Sequence, residues 1–391
     1  MRAVLILSFL ILQLHAAGVL GTKTYKWLME VQGLMEKREY NLALDSLSKL
    51  ETVVNNRPYD MAYVHQTFGY IYLEMEKPDF ATRRFEKALE GDQLPTVQAL
   101  NILQNLAALH MQGERYALAV TVLERWLALS EEKKPEIYIT LAIAHAQLEQ
   151  NRKALQAAKT AVALAKEPKE EWYKLLIALF YRCEDETGMI GALKTAVELF
   201  GPRKTYLEQL FGLYMKREAY EDALAVQELI YKNGEVTGEE EYRRLAMLYA
   251  YHGTPLDAAV VMEAGIKAGA VKADEGNFKS IYEYFVTARE PVRAIYYLSQ
   301  AANLSKEGKL HLQLAQLLFE SEQYLEAAKA IGTALKKGGL NRPEEAHLLQ
   351  GVAYYEAGKF EEAKECFRAL QAFPEKRKTA ESWLNYLNNL G

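Results

Sequence analysis

Two histidines, His110 and His145, come nearest to a chemical site by their type and spacing. They stand 35 residues apart, and two imidazoles that a regular fold brings together could bind a metal ion such as zinc. No cysteine or carboxylate occupies a neighbouring position of the same kind, and two imidazoles alone make a poor closed metal site. We therefore expect two packed core histidines, no metal site and no cofactor.

Adjacent carboxylates are the second group of residues that could do chemistry. Glu131-Glu132 and Glu239-Glu240-Glu241 are such groups, but each is predicted to begin a helix, where the helix dipole favours negative charge. The sequence contains no phosphate-binding loop, no serine-hydrolase elbow, no HExxH and no CxxC pattern. We therefore predict that the protein is not an enzyme.

A small residue recurs about every 35 positions and indicates which elements hold these side chains. The recurring residues are Ala43, Ala81, Ala119, Ala154, Gly188, Ala223, Ala258, Ala294, Ala327 and Ala363. Such a period indicates a solenoid of helix-turn-helix repeats, and about 34 residues is the tetratricopeptide (TPR) period. We predict an all-α TPR superhelix of about ten repeats over residues 22–374, with a C-terminal capping helix over residues 375–391.

The repeat register also makes predictions for individual residues. His110 and His145 fall on one position of adjacent repeats, where an aromatic side chain normally packs. Cys183 and Cys366 lie five repeats apart, and repeats touch only their neighbours, so we predict two buried free thiols. The fifth repeat is the least regular, with Gly188 in place of alanine, and we expect a bend or hinge there.

Composition and the first residues of the chain indicate the class of protein and its export. The 391 residues are 50% apolar and 25% charged with a net charge of −5, which is typical of a folded protein without a nucleic-acid surface. Residues 1–21 combine Arg2, an apolar run and small residues, the layout of a cleaved signal peptide. Cleavage after Gly21 or near Ala17 fits. The apolar run is too short to span a bilayer, so we expect no membrane insertion of the mature chain.

Several longer segments resemble one bacterial subfamily. They include EEWYKLLIALFYR, KKGGLNRP and the WLxYL ending. Together they are similar to exported TPR proteins encoded beside TonB, ExbB and ExbD energy-transduction genes, over nearly the whole mature chain. The resemblance implies the periplasm of a Gram-negative bacterium, a non-catalytic scaffold accessory to TonB-dependent outer-membrane uptake, and TonB or ExbD periplasmic segments as partners. The alternative is an envelope-assembly or cell-wall-associated TPR adaptor unrelated to TonB.

A partner would bind to the concave face, which in TPR arrays is lined by fixed positions of the first helix of each repeat. Here these positions combine aromatic residues and methionine with polar neighbours, a mixture that suits an extended peptide or a partner helix. The candidates are Tyr63, Gln66, Tyr70, Gln104, Met111, Arg243, Met247, Tyr251, Leu312, Gln316, Phe319 and Tyr355. No dense Lys/Arg cluster occurs on these helices, which argues against capture of a carboxylate terminus.

Overall fold

A computed structural model describes residues 20–389, and over that range it contains 21 α-helices, two short 3₁₀ segments and no strand. Twenty of the helices form ten hairpins, and the last helix follows the tenth hairpin. The all-α class and the count of about ten helix-turn-helix repeats are therefore confirmed. The predicted signal peptide, residues 1–21, lies outside the described residues except for its last two positions.

The chain divides into two compact units. In the unit that ends at Gly201, the hairpins are α1 (Thr22–Glu36) with α2 (Tyr40–Val53), α3 (Pro58–Glu74) with α4 (Pro78–Ala88), α5 (Thr96–Gln112) with α6 (Tyr116–Leu129), α7 (Pro135–Gln147) with α8 (Asn151–Leu164), and α9 (Glu170–Arg182) with α10 (Glu186–Phe200). In the unit that begins at Pro202, they are α11 (Lys204–Lys216) with α12 (Tyr220–Lys232), α13 (Glu239–Tyr251) with α14 (Pro255–Lys267), α15 (Glu275–Thr287) with α16 (Pro291–Leu304), α17 (Lys309–Glu320) with α18 (Tyr324–Lys337), and α19 (Pro343–Glu356) with α20 (Phe360–Leu370). Helix α21 (Arg377–Asn389) ends the second unit, and the 3₁₀ segments are Glu90–Asp92 and Pro374–Lys376.

Three-residue turns join the two helices of every hairpin. In the α3–α4 turn, Lys77 N–H donates to the Tyr72 carbonyl at 2.8 Å and Glu76 N–H donates to the Leu73 carbonyl at 2.9 Å. The middle turn residue has a left-handed backbone in all ten hairpins, and these residues are Arg38, Glu76, Glu114, Glu149, Glu184, Glu218, Gly253, Arg289, Glu322 and Gly358. This hydrogen-bond pattern satisfies the last carbonyls of each first helix and reverses the chain.

The recurring small residue is the fourth residue of each second helix. The nine alanines at this position all have 0% exposed surface, as expected where two helices approach closely. The fifth hairpin differs from the prediction, because the fourth residue of α10 is Met189 and not Gly188. Gly188 lies one residue earlier, where its N–H donates to the Asp185 carboxylate at 2.8 Å and a Cβ would collide with the Phe180 ring.

The C-terminal helix covers the last hairpin. Ala380 and Leu387 of α21 are buried, and the Trp383 ring stacks on Phe367 of α20 with centroids 5.1 Å apart. This packing removes the apolar edge of the tenth hairpin from solvent, which is the role predicted for a capping helix.

The two cysteines are free, and the structure places them differently. Cys366 is buried, and burial raises the pKa of its thiol to about 11. Cys183 is half-buried at the end of α9, so the prediction of a buried thiol is right for Cys366 and wrong for Cys183. Cys183 is the first residue of the turn after α9, and its side chain is partly in solvent.

One core position departs from the apolar pattern. The eighth residues of the ten second helices are Leu47, Phe85, Leu123, Ala158, Leu193, Gln227, Met262, Leu298, Ile331 and Phe367. Gln227 is fully buried, and neither its amide oxygen nor its amide nitrogen has a hydrogen-bond partner among the described residues. A buried amide without partners destabilises the folded state.

We predict that Gln227→Met stabilises the second unit by about 1–3 kcal/mol, since the side chain keeps its length and loses two unpaired polar atoms. The measurement is the free energy of unfolding in guanidinium chloride. Gln313→Met, the same change at an exposed position of α17, serves as the control and should leave the stability nearly unchanged. A lower stability for Gln227→Met would mean that the amide has partners that the structure does not contain.

We predict that Ala258→Trp or Ala327→Trp forces two packed helices apart and destabilises the protein by about 1–3 kcal/mol. Hydrogen exchange should show loss of protection first in the hairpins next to the substitution, because stacked repeats interact with their neighbours. Ala225→Trp, at an exposed position of α12, should change neither the stability nor the hydrogen-exchange protection. Uniform loss of protection over the chain would contradict the expectation that each repeat interacts mainly with its neighbours.

Candidate functional site

The two histidines that could have formed a metal site are packed in the core. His110 and His145 are both buried, and His145 Nδ1 lies 2.8 Å from Gln150 Oε1 at the end of its own hairpin turn. Burial lowers the pKa of His110, and the nearby Arg115 lowers it further. Within residues 20–389, no group of three or more His, Cys, Asp or Glu side chains could hold a metal ion. The prediction of packed core histidines is confirmed.

The adjacent carboxylates have two different locations. Glu239, Glu240 and Glu241 form the first turn of α13, as predicted. Glu131 and Glu132 do not begin a helix; they lie in the bend between α6 and α7, and α7 starts only at Pro135. Proline is favoured at the first position of a helix, so α7 begins at Pro135 and not at the two glutamates.

In the first unit, the predicted surface residues divide into packed and exposed ones. Tyr63 and Gln66 are buried, and the half-buried Tyr70 packs edge-on against Phe85 with ring centroids 5.2 Å apart. Gln104 is exposed and Met111 is half-buried on α5. The α3 residues therefore act mainly in packing, whereas α5 keeps an accessible face.

In the last two hairpins, most of the predicted residues also pack inward. Leu312 and Phe319 lie against the apolar core of hairpins eight to ten, and Gln316 between them is exposed. Tyr355 is half-buried against α21, where its hydroxyl lies 3.1 Å from the Tyr386 hydroxyl and its ring packs against Trp383. These residues leave little free surface for a partner.

Helix α13 carries the most accessible set of predicted residues. Arg243, Met247 and Tyr251 follow one another at intervals of four residues and therefore lie on one face of the helix. Met247 is 53% exposed and Tyr251 is 67% exposed, and half of the Arg243 side chain is accessible. We call these three residues the α13 stripe. An exposed row of methionine, tyrosine and arginine is typical of the centre of a protein interface.

The start of α13 is anchored by Glu241. Its carboxylate accepts the Thr237 N–H at 2.8 Å and the Gly238 N–H at 3.1 Å, and it pairs with Lys204 Nζ of α11 at 2.6 Å. Burial of the carboxyl tends to raise its pKa, but the lysine and the two backbone donors outweigh this effect and lower the pKa to about 2. The helix that carries the stripe is thus fixed to the preceding hairpin.

Arg243 is held in place by Glu239, one turn earlier. The guanidinium donates to Glu239 Oε1 at 2.8 and 3.1 Å. The same carboxylate accepts the Lys272 N–H at 3.1 Å and the Asn277 side-chain amide at 3.3 Å. Because Glu239 is also bonded to the next hairpin, the arginine side chain has a defined direction along the stripe.

Tyr251 rests on an aromatic neighbour from the previous hairpin. Its ring packs edge-on against Tyr220, the first residue of α12, with centroids 4.8 Å apart. The Tyr251 ring also packs edge-on against His252 with centroids 5.5 Å apart, and Tyr251 remains 67% exposed. Such a supported and exposed ring can take up an apolar side chain with little loss of rotamer entropy.

The sequence pattern did not select every exposed aromatic residue. Tyr181, near the end of α9, is 73% exposed. With Met189 instead of Gly188 as the fourth residue of α10, Tyr181 takes the position that Met111 holds in α5. Because the sequence register of the fifth hairpin was wrong by one residue, Tyr181 was not assigned to this surface position.

The fold and the surface define the class of protein. Within each unit, stacked hairpins of one geometry carry an accessible face of first helices, and arrays of this kind are generally non-catalytic interaction surfaces. No helix within residues 20–389 is long and apolar enough to cross a membrane.

Comparison with known proteins agrees with this class. Residues 312–376 match the family model described as tetratricopeptide repeat. This match identifies tetratricopeptide repeats in residues 312–376, and the ten helical hairpins have a TPR-like architecture. No curated protein is significantly similar to the sequence.

Several solved structures show low similarity. A tetratricopeptide repeat protein from Parabacteroides merdae is 15% identical, with 67% of this chain and 99% of that chain aligned and a TM-score of 0.35. The Naa15/Naa10 structure bound to HypK-THB is 14% identical over 93% of this chain and 66% of that chain, with a TM-score of 0.44. YrrB, described as a TPR protein with an unusual peptide-binding site, is 17% identical over 45% and 88% of the two chains, with a TM-score of 0.36.

The Glu241 anchor predicts a defined pH dependence. Since its pKa is lower in the folded protein than the ordinary value of 4.5, its contribution is complete above about pH 4.5 and is lost as the pH falls towards 2. We predict that Glu241→Gln lowers the free energy of unfolding of the second unit by about 1–3 kcal/mol at pH 7. The difference from the unchanged protein should shrink between pH 4.5 and 2.

The measurement is guanidinium unfolding at several pH values. Glu240→Gln, the same change at an exposed residue of the same helical turn, is the matched control and should have little effect. A difference between Glu241→Gln and the unchanged protein that stays constant from pH 7 to pH 2 would contradict the assignment.

Proposed function

We propose that the protein is a non-catalytic periplasmic scaffold that serves a TonB–ExbB–ExbD system in TonB-dependent uptake across the outer membrane. The observation that carries the interaction role is the α13 stripe, in which Arg243, Met247 and Tyr251 are accessible on one helix face. The TonB setting rests on the sequence resemblance and on the signal-peptide pattern of residues 1–21.

The chemistry of the stripe favours a peptide or a helix as its partner. Met247 offers a flexible apolar contact, Tyr251 offers a rigid aromatic ring, and Arg243 offers hydrogen-bond donors to a carboxylate or a carbonyl. The Arg243 charge is paired with Glu239, so the exposed Met247 and Tyr251 side chains supply the apolar part of this face. A segment of a periplasmic partner with alternating apolar and polar residues would fit this face.

The proposal predicts which proteins contact the stripe in the cell. A photo-crosslinking amino acid at Met247 should capture TonB or ExbD, and the same group at Glu365, an exposed residue of α20, should not. Mass spectrometry of the crosslinked products identifies the partner. Capture of outer-membrane assembly or cell-wall proteins alone would replace the TonB assignment with the alternative adaptor role and would leave the stripe as the interaction site.

The contribution of the side chains can be measured directly. We predict that Met247→Ala combined with Tyr251→Ala weakens binding to the periplasmic segment of TonB or ExbD by about 10–100-fold, the range for loss of central interface residues. Leu42→Ala, an exposed leucine of α2 in the first unit, is the control. Equal affinity of the double variant and the unchanged protein would show that the partner binds elsewhere.

A further inference from the structure

The second helices of hairpins seven and eight carry two large apolar residues at positions where no other second helix carries two. In α14 and α16, the second and sixth residues are Leu256 with Val260 and Val292 with Tyr296. The corresponding pairs in the other eight second helices are Asn41/Asp45, Asp79/Arg83, Ala117/Thr121, Arg152/Gln156, Thr187/Gly191, Glu221/Ala225, Leu325/Lys329 and Glu361/Glu365. The apolar pairs are thus specific to two adjacent hairpins.

These four side chains are not used in the core. Leu256 is 41% exposed, Val260 42%, Val292 78% and Tyr296 55%. Residues four apart lie on one helix face, so each helix contributes one pair to solvent. Packing within the repeat therefore does not account for them.

One ion pair links the two helices that carry these apolar pairs. Arg293, directly after Val292, makes an ion pair with Glu263 of α14, three residues after Val260. This contact links α14 to α16, and the Arg293 guanidinium also lies over the Phe285 ring of α15, 4.1 Å from its centroid. We call Leu256, Val260, Val292 and Tyr296 the outer patch. It is separate from the α13 stripe, which lies on a first helix.

We propose that the outer patch binds the same patch of a second copy of this chain, forming a two-fold symmetric dimer. In such an isologous interface, identical surfaces face each other, so they must not repel. The outer patch meets this condition, because Arg293 and Glu263 neutralise each other and the exposed Asp257 and Lys267 carry opposite charges at its rim. At the corresponding positions of α20, Glu361 and Glu365 would oppose their own copies.

The size of the patch fits this occupant. Its four side chains expose roughly 400 Å², taking about 150–230 Å² for each fully exposed side chain, and exposed apolar patches of this size are usually functional. A standard interface buries about 800 Å² on each partner, with an apolar centre and a polar rim. The outer patch supplies the centre, and the large Tyr296 ring of one copy can pack on the smaller Leu256 and Val260 side chains of the other.

Sedimentation velocity of the mature chain, from roughly 1 to 100 μM, tests the proposal. The unchanged protein should dimerise in this range, and Val292→Glu with Tyr296→Glu should raise the dimer dissociation constant at least 10-fold. Leu42→Glu introduces a glutamate at a comparably exposed leucine of α2 and should not raise the dimer dissociation constant. Circular dichroism verifies that each variant is folded.

A crosslinking experiment supplies an independent outcome. With Cys183→Ala and Cys366→Ala as background, Val292→Cys should give a covalent dimer with a short bismaleimide, since residues near a two-fold axis meet their own counterparts. Leu42→Cys should not. A monomeric unchanged protein up to 100 μM, a dimer insensitive to the glutamate pair, or equal crosslinking at both cysteines would overturn the proposal.

Discussion

The close approach of two helices at a buried alanine is the constraint on which the rest of this structure depends. At Ala81, Ala258 and Ala363 the side chain is a single methyl group with no exposed surface, so the first helix of the hairpin can pack directly against it. The larger residues one turn later, such as Phe85 and Phe367, then fill the space that remains. A larger side chain at the alanine position would move the helices apart and change every contact that follows.

This local steric requirement explains why the hairpins could be predicted from the sequence. A small residue every 35 positions marks the contact, and the prolines that begin α3, α7 and α19 mark helix starts. The prediction was wrong by one residue in hairpin five, because the small Gly188 approaches the Phe180 ring closely, whereas the buried fourth residue of α10 is Met189, a flexible side chain that can fill an irregular space. The left-handed turn residues were also difficult to predict from the sequence, since eight of the ten are glutamate or arginine rather than glycine.

The accessible surface could be predicted only in part, because exposure depends on neighbouring hairpins. Gln66 and Arg243 hold the same position in their repeats, yet Gln66 is buried and Arg243 is accessible. Likewise, Tyr355 matched the pattern for a surface residue, but α21 packs over it. Register along one helix predicts which way a side chain points, whereas the adjoining elements determine whether it reaches solvent.

Polar contacts between hairpins add a second level of order. Lys337 of the KKGGLNRP segment donates to the carbonyls of Ala302 and Ser305 at 2.9 and 2.6 Å, and so closes the end of α16 in the preceding hairpin. Lys204 joins hairpin six to Glu241 of hairpin seven in a similar way. Part of the segment that carries the family resemblance thus has a structural role.

Hairpins seven and eight, which carry the α13 stripe and the outer patch, are joined by the contacts of Glu239 with Lys272 and Asn277 and by the Arg293–Glu263 ion pair. The stripe lies on a first helix and the patch on two second helices, so the two surfaces use different side chains. A dimer formed through the outer patch would present two stripes, and binding of a multivalent partner would then gain from the high effective concentration of the second site.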